Sequence, residues 1–211
     1  MHLLKNTGRT LAALILVGGL AACGGNDSAD EETTVETRTE KPAEKASAKK
    51  AEAEVDGQLF AAVNDDRRSW YVTHLESDGD WQSGSFWRAM SLKDTYQVTL
   101  FGLTSKAAKP SGKGEVMMSL VVQGETNNVR VVSAELTFFA DGLSKTWTSE
   151  NSGGAKVMLN RFIIDGDYID IGGGFSGVVE LPADSTASTD QPETFEIKDG
   201  SFAVRVRQFQ R

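Results

Sequence analysis

Few residues in this chain could make or break a bond. Its 211 residues include one cysteine, Cys23, and two histidines, His2 and His74. A serine nucleophile needs a histidine base that a carboxylate orients. No motif around either histidine supplies that arrangement, and there is no Gly-x-Ser-x-Gly elbow. Zinc sites of the cysteine/histidine kind take three or four such ligands, and His74 is the only histidine or cysteine after residue 23. The run Gly172 to Gly177 matches G-x-G-x-x-G. That fingerprint holds phosphate only between a strand and a following helix. Here a strand pattern follows, so a bulge or a close backbone approach is the expectation. Asp165, Asp167 and Asp170, or Asp78 and Asp80, could offer oxygens to Ca²⁺. Calcium takes about six to eight oxygens, and these spacings match no calcium loop. Asp-Gly turns account for the pairs without metal. Glycoside cleavage by Asp65 and Asp66, or by Asp78 and Asp80, would need carboxyl groups about 5–9 Å apart across a groove. The residue inventory therefore predicts no enzyme, no metal and no cofactor.

The densest set of recognition-type side chains is aromatic. Trp70, Tyr71, Trp81, Phe86 and Trp87 interleave with Arg67, Arg68, His74 and Arg88. Trp and Tyr beside polar neighbours suit flat ligands such as sugars, or a protein partner. Trp70, Trp81, Trp87 and Arg88 are the predicted ligand-contacting residues. Against that stands core packing, since Trp70 and Tyr71 point to opposite faces of any strand. Trp81, in the turn region 78–83, is the one expected in solvent. His74 alternates with Trp70 and Val72, which reads as a packed or rim histidine.

These side chains must be carried by strands. Tyr96, Val98 and Leu100 alternate with Gln97 and Thr99; Val116, Met118, Leu120 and Val122 with Met117, Ser119, Val121 and Gln123; and the same period two runs through Val132 to Phe138, Phe175 to Leu181 and Phe202 to Val206. Period two with one apolar face means half-buried strands. Further strands are predicted at Gln58 to Val63, Ser69 to Leu75, Ser85 to Met90, Lys156 to Ile164 and Tyr168 to Ile171. Turn signals separate them at Asp78-Gly79, Gly124 to Asn128, Asp141-Gly142, Asp165-Gly166 and Asp199-Gly200, where positive φ is tolerated. No segment has a helical apolar stripe. The expected fold class is all-β, an antiparallel sandwich or barrel of about 8–10 strands.

The N-terminus reads differently. Lys5 and Arg9 precede an uncharged run from Leu11 to Leu20, too short for a stable membrane span. The box Leu20-Ala21-Ala22-Cys23 follows. A charged head, a short apolar centre and small residues before a cut site describe a secretory signal. The whole resembles the signal of bacterial lipoproteins. That resemblance implies cleavage before Cys23, a diacylglycerol on its sulfur and acylation of the new amino terminus. Residues 1–22 then form the signal peptide, and His2 leaves with it. Residues 23–54 form an acylated cysteine and a disordered charged tether, because Gly24 to Glu54 holds one valine and no aromatic. Residues 55–211 form one β-domain. In that family an Asp after the cysteine resembles an inner-membrane retention signal. Gly24 stands there instead, so the resemblance implies the outer membrane, facing the periplasm or the cell surface. The segments Gly174 to Leu181 and Asp199 to Val204 also resemble the last hairpin of a lipoprotein β-domain class of unknown function, in which a G-x-F-x-G strand precedes a G-x-F strand. That implies a β-sandwich and no activity.

Residues 55–211 carry 15 Lys plus Arg against 21 Asp plus Glu. An acidic excess argues against nucleic acid, which needs a basic face. Membrane contact then rests on lipid at Cys23. The functional expectation is a non-enzymatic binding or interaction module of the cell envelope, with an envelope protein or glycan as partner. The alternative is an inhibitor or immunity lipoprotein against a lytic enzyme such as lysozyme, with polar loop residues such as Ser83 and Lys93 plugging a cleft.

Overall fold

The computed structural model describes residues 53–77, 80–106, 110–126, 128–143, 145–150, 152–183, 185 and 192–209, with backbone alone at 77, 80 and 81. The chain divides between Ala46 and Ser47, and every described residue belongs to the second unit. The predicted signal peptide, Cys23, nearly all of the tether and the Asp78-Gly79 turn lie outside the described residues.

Eleven strands follow one another, with no helix among the described residues: β1 (Glu54–Val63), β2 (Asp66–Ser77), β3 (Asp80–Ser83), β4 (Phe86–Ala89), β5 (Thr95–Gly102), β6 (Glu115–Glu125), β7 (Asn128–Phe139), β8 (Trp147–Thr148), β9 (Lys156–Asp165), β10 (Tyr168–Glu180) and β11 (Thr194–Arg207). They form one antiparallel sheet in the order β3-β2-β1-β11-β10-β8-β7-β6-β5-β4, with β9 also paired to β10. The sheet rolls without closing into a barrel, in the manner of a β-sandwich. Its distant strands meet at two bridges: Tyr71 and Leu103 exchange backbone hydrogen bonds of 2.8 and 2.9 Å, and Trp87 pairs with Gln208.

Alternation explains the core. Val116, Met118, Leu120 and Val122 of β6 are all fully buried, as are Val98 and Leu100 of β5. Leu59, Ala61 and Val63 of β1 point the same way, as do Phe202, Val204 and Val206 of β11. Period-two patterning thus places one apolar face inward along each strand.

Four local expectations are corrected. The strands read at Tyr168 to Ile171 and Phe175 to Leu181 are one strand, β10, running straight through Gly172-Gly173-Gly174. Asp199-Gly200 is a bulge inside β11, with Asp199 at φ 50°, and not a hairpin turn. Turns and bulges both demand positive φ and room at glycine, so the dipeptide alone does not separate them. Val132 is 55% exposed because a register shift opposite Val121 and Val122 turns it out of the alternating face. The short strands β3 and β8 and the first half of β11 carry too little apolar pattern to read. The β1–β2 hairpin turns on Asn64 and Asp65, both at positive φ, so Asp65 and Asp66 serve a turn and the strand after it.

Candidate functional site

Two of the three tryptophans in the predicted aromatic surface lie in the core. Trp70 is fully buried and Trp87 is 4% exposed, both within the core. Each indole instead ties a loop to the sheet. Trp70 Nε1 donates to the Gly114 carbonyl at 2.6 Å, Trp87 Nε1 to that of Asp167 at 3.0 Å, and Trp147 Nε1 to that of Pro192 at 3.1 Å. A buried indole needs a partner for its N–H, and long-range loop carbonyls supply it. Arg88 is exposed on β4 and donates through Nε to the Gln97 side chain at 2.7 Å. The Trp81 side chain lies outside the described residues. Trp70 and Trp87 therefore cannot share a ligand face with Arg88 while the core stays closed.

The acidic clusters are also occupied. Asp170 pairs with Arg161 at 3.1 Å and with Arg205 at 3.7 Å, and Arg205 reaches Asp165 at 3.0 Å. The Arg205 guanidinium also lies 4.7 Å over the Tyr168 ring. Arginine side chains thus take oxygens of Asp165 and Asp170, Asp78 and the Asp80 side chain lie outside the described residues, and no group of three His, Cys, Asp or Glu among the described residues is placed to hold a metal. Glu115 was not singled out from the sequence. Its buried carboxylate accepts from Ser111 N at 2.7 Å, Ser111 Oγ at 2.8 Å and Gly112 N at 2.8 Å, which shapes the loop that presents Gly114 to Trp70. Ser83 is held at home as well, donating from Oγ to the Thr73 carbonyl at 2.8 Å.

His74 stands at a charged rim of the sheet. Its Nδ1 lies 2.8 Å from Asp56 Oδ1, and its Nε2 lies 3.8 Å from Glu54. The second Asp56 oxygen, Oδ2, is buried without a hydrogen-bond partner. Burial raises the Asp56 pKa above the ordinary aspartate range, against the opposing pull of His74.

Asp56 also borders a furrow of about 530 Å³ that β1, β9, β10 and β11 line. Strand register builds it. Residues paired across strands share a face, and two successive rows cross the sheet here. One runs Phe60, Ser201, Gly174, Met158; the next runs Gln58, Ala203, Gly172, Arg161. The two middle strands present only serine, alanine and glycine, while the flanking strands carry large side chains. Phe60 is 46% exposed and Met158 78%. Across three strand gaps of about 4.8 Å each, the flanks stand about 14 Å apart. Val55 and Asp56 line one end, and Asn160 stands on the β9 side. Asn160 is the extra residue of a bulge opposite Gly172 and Gly173, so the glycine run is, as expected, a bulge partner and a close backbone approach.

None of the furrow residues was predicted as a site. The available signal was parity. With Leu59, Ala61 and Val63 facing inward, an aromatic at position 60 must face out. No family model matches this chain, and neither does any curated protein or solved structure.

Proposed function

We propose that this chain is a lipid-anchored lipoprotein of the cell envelope whose β-domain is a non-enzymatic binding module. The observation that carries the reading is the box Leu20-Ala21-Ala22-Cys23 behind a basic head and a short apolar run. Lipid at Cys23 holds the membrane, since stable anchoring takes more than one acyl chain. Gly24 favours the outer membrane over retention at the inner one. The tether lets the domain stand away from the surface. Its charged, apolar-poor composition supports that role.

The binding part of the reading moves from the tryptophans to the furrow, because exposed side chains of mixed chemistry line it. Fractionation of cells grown with labelled palmitate tests the anchor. The parent chain carries label and stays with outer membranes, whereas Cys23→Ala carries none and is released. Label retained by Cys23→Ala defeats the proposal.

A further inference from the structure

Resting on that reading, we propose that the furrow across β1, β11, β10 and β9 is a saccharide-binding site. Its volume of about 530 Å³ falls inside the range of about 300–1,000 Å³ typical of small-ligand sites. Its lining is almost wholly uncharged: Val55, Gln58, Phe60, Asn160, Ser201 and Ala203, with the Asp56 carboxyl group at one end. In a chain of net charge −8, a neutral strip favours a neutral ligand over an ionic one. A pyranose ring has an apolar C–H face and a rim of hydroxyls. Phe60, almost half exposed at the furrow's edge, offers a platform for the apolar face. The amides of Gln58 and Asn160 and the Ser201 hydroxyl each offer donors and acceptors to the rim.

The middle strands decide the fit. Glycine on β10 and Ser201 and Ala203 on β11 leave a shallow floor where a ring can lie against backbone. A protein partner would instead seek a broad apolar patch with buried anchors. Here the apolar residues Phe60 and Met158 stand on separate flanking strands, with Ser201 and Gly174 between them.

Saturation-transfer NMR on the full lipidated chain in detergent micelles tests the proposal, using maltotetraose and the β-1,4-linked N-acetylglucosamine tetramer as probes. At about 10 mM sugar, even a Kd of about 1 mM gives a clear signal. Transfer to at least one probe is expected. Filling the floor with Ser201→Leu should abolish it, and Phe60→Ala should weaken it at least tenfold. Both positions face solvent, so an unchanged circular dichroism spectrum and Tm should accompany the loss. No transfer to either probe overturns the proposal, as does transfer that survives Ser201→Leu. Photo-crosslinking from position 60 in intact cells separates this from the parent reading. A protein captured there, with no sugar bound, leaves the binding module standing and removes the saccharide.

Discussion

Asp56 gives one oxygen to His74 and keeps the other buried without a partner. Because burial raises its pKa, the folded chain binds this proton more tightly than the unfolded chain does. Between the ordinary aspartate value and the raised one, the folded state holds more protons, so stability falls as pH rises through that window. Asp56→Asn should flatten this slope and be no less stable than the parent at neutral pH, since its carbonyl can still accept from His74. Urea titrations at several pH values check this; a variant that loses stability at neutral pH refutes it. The tryptophans teach a related point. Their number and clustering were legible, and so was the chance that they were core. Their role was not, because the N–H groups of Trp70, Trp87 and Trp147 each find a carbonyl at least 44 residues away in sequence. Glu115 was equally silent, since an isolated glutamate at the start of a strand gives no sign that it will be buried around a turn.

At the scale of elements, β10 shows how backbone proximity governs sequence. A side chain at Gly173 would place its Cβ 2.1 Å from the Met158 carbonyl oxygen, and one at Gly200 would place it 2.4 Å from that of Phe175. Neighbouring strands approach there more closely than a Cβ permits. Gly173→Val should therefore cost at least about 2 kcal/mol, in the upper part of the usual range for single substitutions. Chemical denaturation measures it, and a cost below about 0.5 kcal/mol would show that β9 yields easily. The central strands were readable because each buries one face against the core. The short strands β3 and β8 were not, since four and two residues hold too little periodicity.

The described strands form one sheet around one core. The Tyr71–Leu103 bridge joins β2 to the segment after β5, strands distant in sheet order. Breaking it would separate parts of the sheet that share one core. Native-state hydrogen exchange should thus find the Tyr71 and Leu103 amides opening only with global unfolding, at the free energy of the slowest β6 amides. Opening at a much lower free energy would mean that the roll loosens independently. By itself the sequence determined the all-β class and, Val132 aside, the inward parity of the apolar series on β5, β6, β7 and β11, because these rest on local periodicity. The tertiary structure decided that Trp70, Trp87 and Trp147 are loop anchors, that Asp199-Gly200 bulges and does not turn, and that Phe60 and Asn160, 100 residues apart, line one furrow. Those outcomes depend on which strands become neighbours and in what register, and pairing across such distances is set by the packing of the whole core.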